Sequence, residues 1–329
     1  MERTKTVLAA AAVAACLPYL ALKLIWVAGG NLGIPPGSPL REEGTALWLV
    51  NILTIAMDGT VVLLVLALTR PWGRRLPAAL LALPLWIACG LLGPIVAAFP
   101  AQVLYGVLSG GAGQDSGADE LLDGWVWTLV YSGFTVQALA LGALFVRYVH
   151  DRWGALLRSP LHPDIAAPDR SPVLARLGFA AAVLLTLPCV AGLTTQMADQ
   201  SADRRIVDAA FLLYTLVALA GVGRLLRTGG TGGTRGAVRR TAPRLGPTLS
   251  AAWIGSGVLA CWGGWLLLGA LTGGGRPLGQ QMSTGTLLAY ACQALLGLLL
   301  AAVGAQQLRH RARLLRHRPA PGGTVRQDA

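Results

Sequence analysis

Thr45-Ala-Leu-Trp-Leu-Val-Asn-Ile-Leu-Thr-Ile-Ala-Met-Asp58-Gly-Thr-Val-Val-Leu-Leu-Val-Leu-Ala-Leu68 is a run of 24 residues with one charged side chain. A helix of about 20 apolar residues spans a hydrocarbon core of roughly 30 Å, so the run reads as a membrane helix. Asp58 lies 12 residues from the end of the span at Ala46, about 18 Å deep at a rise of about 1.5 Å per residue. An ionised carboxylate at a helix centre costs about 2.5–3.5 kcal/mol on insertion scales, and such residues mark functional sites by default. Asn51, Thr54 and Asp58 follow at i, i+3 and i+7, so they share one face, predicted to look into the protein.

The same pattern recurs along the chain. Of its 329 residues, 54% are hydrophobic and 13% charged. Apolar runs fall at about 6–28, 46–68, 77–98, 125–146, 173–195, 206–223, 249–271 and 284–304, the sixth being the shortest. These runs predict an all-α polytopic membrane helix bundle of about eight transmembrane helices over residues 1–304. A basic cytoplasmic tail follows over 305–329. Little sequence remains for a separate soluble domain.

The net charge of +12 is explained by its distribution. With the N-terminus inside, 22 of the 27 Lys and Arg fall on the inner side, in the segments around Arg3, Arg70–Arg75, Arg147–Arg176, Arg224–Arg244 and Arg309–Arg326. Lys23, Arg41, Arg204, Arg205 and Arg276 are the exceptions. This positive-inside bias predicts a multi-pass protein of the cytoplasmic membrane with both termini cytoplasmic. The basic segments then face anionic lipid headgroups, and no recognition module accompanies them that would point to nucleic acid. Acidic residues such as Glu42, Asp115 and Asp208 map to the outer side, as expected once Lys and Arg are held inside.

Metal and disulfide chemistry find little footing. The five cysteines (Cys16, Cys89, Cys189, Cys261, Cys292) all lie in predicted spans without CxxC spacing. None of the four histidines is spaced as a metal pair, and neither metal nor cofactor is expected. Asp119/Asp123 and Asp199/Asp203 are i, i+4 carboxylates that could share a magnesium ion on a diphosphate, but the Asn-Asp-rich partner motif of intramembrane prenyltransferases is missing. Gly229-Gly-Thr-Gly-Gly-Thr-Arg-Gly236 lacks the GK[ST] ending of a phosphate loop and reads as a linker. Val13-Ala-Ala-Cys16 has the form of a lipoprotein cleavage box, yet the apolar run continues through Ala28, which favours an uncleaved first helix.

Other polar groups lie at depths comparable with that of Asp58. Tyr19, Lys23 and Trp26 share one face of the first span, with Lys23 about 8 Å from its outer end. Its stem can carry the ammonium outward to the interface or inward towards Asp58. Trp86, Gln137, Tyr214, Trp262 and Gln293, with Thr186, occupy other spans. The faces Thr128, Ser132, Thr135 and Thr286, Tyr290, Gln293 also keep helical spacing. If these faces converge they form a mid-membrane pocket, with Tyr19, Lys23, Asn51, Trp86, Gln137, Tyr214, Trp262 and Gln293 as substrate-binding candidates around Asp58. The alternative is interhelical hydrogen bonding without a pocket.

Two chemistries suit a buried Asp. A neutral carboxylic acid among aromatic rings can protonate a lipophilic polyene and stabilise the resulting cation, as in cyclisation of a linear isoprenoid. A carboxyl that cycles between its two forms can couple proton movement to transport of a small molecule or lipid. An apolar aromatic pocket distinguishes the first; a polar path to both faces distinguishes the second. An accessory or structural membrane protein is the third reading.

Pro18-Tyr19-Leu-Ala-Leu-Lys23-Leu-Ile-Trp26, Met57-Asp58 and Leu68-Thr-Arg-Pro-Trp-Gly-Arg-Arg-Leu-Pro77 resemble a family of polytopic membrane proteins of high-GC actinobacteria, most without assigned function. The resemblance is strongest in the first 100 residues. A weaker resemblance links the chain to bacterial membrane-bound terpene cyclases that fold linear sesquiterpenes into drimane-type rings, although no diagnostic cyclase motif aligns. That resemblance implies an isoprenoid substrate and an acid initiator within the membrane, a role that Asp58 fits by depth.

Overall fold

The computed structural model describes residues 2–41, 44–110, 121–158, 171–196, 201–227, 244–272 and 284–316. Eight α-helices make up this part of the chain: α1 (Glu2–Val27), α2 (Gly44–Thr69), α3 (Ala78–Leu108), α4 (Gly124–Arg158), α5 (Ser171–Gln196), α6 (Ala202–Arg227), α7 (Leu245–Thr272) and α8 (Thr284–Arg316). Seven are long and apolar enough to cross a membrane, and within α5 the apolar stretch Ala175–Leu187 is shorter. The chain is an all-α polytopic membrane bundle. Leu63, Leu83, Leu139, Leu184 and Leu216 are all exposed on its outer surface, as hydrocarbon solvent allows.

Contacts between helix ends show that α1 to α4 and α6 alternate in direction. At one end the Tyr148 hydroxyl donates to the Gly73 carbonyl, joining the ends of α2 and α4. Arg152 donates to the Leu76 carbonyl, and the Arg74 guanidinium lies 3.7 Å from the Asp151 carboxylate. The two similar segments Arg70-Pro-Trp-Gly73 and Asp151-Arg-Trp-Gly154 therefore lie at the same end of the bundle. At the other end the Asp123 amide donates to the Gly33 carbonyl and Gln102 donates to the Asp203 carbonyl.

Helix α7 organises the second half of the molecule, packing on α8, α6 and α3. Its contact positions are small. A methyl group on Gly90 would overlap the backbone of Gly257, one on Gly255 would overlap Ala218, and one on Gly297 would overlap Ala260. Close backbone approach through small residues is how membrane helices gain packing without a hydrophobic driving force. In the first half, α1 packs on α4 and α2, around a core that includes Cys16, Val65, Leu85 and Leu144. Helix α3 joins the halves, meeting α4 on one side and α6 and α7 on the other.

Several helices run beyond their predicted spans. Helix α3 continues past Pro100 to Leu108, and α4 continues to Arg158 across non-helical backbone at Trp153 (φ −134°, ψ 17°). Helix α6, predicted over 206–223, starts at Ala202 because Asp203, Arg204 and Arg205 lower the hydropathy without breaking the helix. Helix α8 runs to Arg316, so the segment from 305 begins as helix. Residues 317–329, Asp119, Asp199 and Gly229–Gly236 lie outside the described residues.

Candidate functional site

A cavity of about 440 Å³ lies in the first half of the bundle, within the range of small-molecule sites. Tyr19, Lys23 and Trp26 of α1 form one wall, and Thr54, Met57 and Asp58 of α2 a second. Helix α3 supplies Pro84, Ile87 and Leu91; α4 supplies Trp127, Tyr131, Phe134 and Gln137; α7 adds Trp262 and Trp265. Seven aromatic side chains therefore share the space with one carboxyl group. Several are locked in place: Tyr19 meets Phe134 edge-to-face at 4.9 Å, and Trp127 stacks on Tyr131 at 5.6 Å between ring centroids.

Asn51, Thr54 and Asp58 are all buried, as one inward face requires. Thr54 donates back to the Asn51 carbonyl at 2.9 Å, which leaves its oxygen towards the cavity. Asp58 is 5% exposed, and its Oδ2 has no hydrogen-bond partner among the described residues. Gln137, 2% exposed, likewise has an unpartnered Oε1.

Lys23 neither pairs with Asp58 nor extends to the interface. It is 7% exposed, and its Nζ donates to Asn51 Oδ1 at 2.8 Å. The ammonium stands 4.8 Å from the ring centroids of both Tyr19 and Trp26, inside the reach of cation–π attraction. The Trp26 indole is itself tied to the Leu32 carbonyl at 2.8 Å. Among the described residues no carboxylate forms an ion pair with Lys23. The cavity thus holds an ammonium near one end and an unpaired carboxyl deeper in, with Asn51 and Asp58 separated by seven residues, about 10 Å of helix rise.

Beyond Trp26 the segment after α1 packs on the start of α4, where Leu122 lines the cavity. Ser38 donates to the Leu121 carbonyl and Arg41 to the Ile34 carbonyl, and Gly33, at φ +74°, lets the chain turn against Trp125 and Val126. Below Asp58, Val61, Leu64, Val65 and Leu68 pack into the apolar core with Leu81, Leu141 and Leu144. Sideways, the cavity reaches the surface: Thr60 of α2 and Ile87 of α3 both line it and are exposed on the lipid-facing side.

Four predicted pocket residues lie elsewhere. Asn51 stands behind Lys23 as its acceptor and does not line the cavity. Trp86 faces α7, its indole donating to Ser256 Oγ at 3.2 Å, because it shares a face with Gly90 at the α3–α7 crossing. Tyr214 donates to the Gly93 carbonyl at 2.8 Å and lines a separate space of about 190 Å³ between α3, α4, α6 and α7. Gln293 belongs to α8, beyond α7, and lines neither space. The face Thr128, Ser132, Thr135 is also corrected: Thr128 and Ser132 are exposed, and Thr128 and Thr135 bond their own helix backbone. Helix α4 instead presents Trp127, Tyr131 and Phe134, at i, i+4 and i+7, a pattern visible in the sequence. Trp262 does reach the cavity, held by its indole N–H on the Leu91 carbonyl at 2.8 Å.

No protein-family model matches the chain, and no curated protein or solved structure is significantly similar to it.

Proposed function

We propose that this protein is a membrane-embedded enzyme that cyclises a linear isoprenoid, with Asp58 as the general acid. The observation that carries the reading is the buried carboxyl of Asp58, whose Oδ2 has no hydrogen-bond partner among the described residues, in a cavity lined by aromatic rings. A carboxyl without a paired cation, in apolar surroundings, is most cheaply kept neutral, and a neutral acid can donate.

The chemistry follows from the placement. The carboxylic proton of Asp58 adds to a terminal carbon–carbon double bond, whose π electrons form the new C–H bond and leave a tertiary cation. The next double bond of the chain attacks that cation and closes a ring. Water takes a proton from the final cation, which forms a new double bond, and Asp58 regains a proton from water, so the net reaction is an isomerisation. Tyr131, Phe134 and Trp262 offer ring faces to the passing positive charge, and Gln137 Oε1 offers a carbonyl dipole. The opening past Thr60 and Ile87 admits a substrate dissolved in the bilayer.

Proton-coupled transport by Asp58 is the second reading. It needs a polar path to both faces, and the apolar packing of Val61, Leu64 and Leu68 below Asp58 runs against it. The positive-inside pattern supports a location in the cytoplasmic membrane. The test is to incubate membranes containing the protein with linear sesquiterpenoid chains and examine the products by mass and ring structure. Cyclised isomers of unchanged mass are expected; their absence across a panel of head groups contradicts the proposal.

A further inference from the structure

We infer that the Lys23 end of the cavity is a head-group site, and that the ligand is an amphiphile carrying an anionic oxygen head on a lipophilic chain. The inference rests on the cavity being a ligand site and extends the reading above by naming the substrate's polar end. An ammonium at 7% exposure within a membrane bundle is costly unless an anion or several acceptors meet it. Lys23 has three N–H groups, and the acceptor found for it is Asn51 Oδ1. The two rings beside it stabilise the cation without neutralising it.

Among the described residues no carboxylate forms an ion pair with this ammonium. Asp58 shares the cavity but forms no ion pair with Lys23. Asn51, 1% exposed and behind Lys23, fixes the ammonium at the cavity wall without itself lining the cavity. The remaining N–H groups of Lys23 Nζ match a carboxylate or phosphate, whose oxygens accept from them. Trp26 and Tyr19 wall this corner, so a bound head is shielded from water, where a charge-assisted hydrogen bond gains strength. With the head held there, the chain extends along α2 towards Asp58, which meets a double bond remote from the head.

The two ionisable groups thereby receive separate tasks. Lys23 sets orientation and head-group choice, and Asp58 acts on the chain. The opposite arrangement, a cationic head on Asp58, would leave Lys23 uncompensated and set two positive charges in one apolar cavity.

The experiment measures binding without turnover. Purified protein in phosphatidylcholine nanodiscs is titrated with farnesoic acid, farnesyl monophosphate, farnesol and farnesylamine, with empty nanodiscs subtracting simple partitioning. At least one of the two anions is expected to bind about tenfold or more tighter than farnesol, and farnesylamine weakest; whichever anion binds tighter names the head. Lys23→Gln should bring the anions down to the level of farnesol, Lys23→Arg should keep part of the preference, and Gln293→Leu, outside the cavity, should keep all of it. Farnesol or farnesylamine binding as tightly as both anions to the wild type overturns the inference, as does an anion preference that survives in Lys23→Gln. The wild-type comparison alone decides if the variants fail to fold. Because no product is measured, the head-group site can fail while cyclisation stands, and the reverse.

Discussion

Lys23 is bonded to Asn51, 2.8 Å from its amide oxygen, and not to Asp58. That one contact separates the two ionisable groups of the cavity. Paired with Lys23, Asp58 would be an ionised structural anchor; without that ion pair it suits the proposed role of proton donor. The aromatic side chains of α1 hold the ammonium on its own side, and the carboxyl is left facing the ligand space.

The Lys23–Asn51 contact is expected to behave as a coupled pair. Asn51→Leu leaves the buried ammonium without its acceptor and should destabilise the protein by about 2–4 kcal/mol. Lys23→Met with Asn51→Leu should recover much of that loss, since two apolar side chains then replace two buried polar ones. Thermal unfolding of the single and double variants in one detergent checks this. Additive losses would contradict the coupling.

Packing at the α3–α7 crossing should tolerate no side chain. Gly90→Val forces a side chain against the Gly257 backbone and should cost about 1–3 kcal/mol or prevent assembly. Gly59→Ala has open space around it and should be neutral within about 0.5 kcal/mol. Equal melting temperatures for both variants would argue against the crossing.

Residues that line the cavity and residues that only resemble them in depth should separate in assay. Trp127→Ala and Trp265→Ala enlarge the ligand space and should alter the product distribution or ligand affinity. Trp86→Phe and Gln293→Leu lie outside it and should leave both unchanged, with Trp86→Phe costing about 1 kcal/mol of stability for its lost bond to Ser256. A substrate effect from Gln293→Leu, with Trp127→Ala silent, would place the site elsewhere.

Entry from the bilayer gives a steric prediction. Thr60→Trp or Ile87→Trp fills the opening between α2 and α3 and should slow ligand uptake several-fold while leaving the melting temperature within a few degrees, because both positions are exposed. Stopped-flow quenching of tryptophan fluorescence by a brominated farnesyl chain follows the uptake. Unchanged rates in both variants would mean that the chain enters by another way.

Much of this architecture is legible in the sequence, because lipid imposes long apolar helices and the eight runs stand apart from their loops. The inward face of α2 is legible for the same reason: Asn51, Thr54 and Asp58 are polar in a segment that is otherwise apolar. Helix ends are less so. Pro100 reads as a stop, but a membrane helix continues through proline when neighbours accommodate the freed backbone groups, and α3 runs to Leu108. The convergence of side chains is the least legible, since depth along a helix says nothing about rotation around it. Trp86 and Ile87 are adjacent, and one turns to α7 while the other turns to the cavity. The small residue at Gly90, one turn from Trp86, is the local sign that this face belongs to helix packing. For Tyr214 and Gln293 the deciding fact is which helices are neighbours, and that is a property of the whole bundle.

The central claim, that Asp58 delivers a proton to an isoprenoid chain, is tested most directly in D₂O. Wild-type membranes supplied with a linear sesquiterpenoid substrate should yield a cyclised product carrying one deuterium, at the carbon protonated first. Asp58→Asn, folded to the same melting temperature, should yield none. Undeuterated cyclic product from the wild type, or equal deuterated product from Asp58→Asn, would contradict the account.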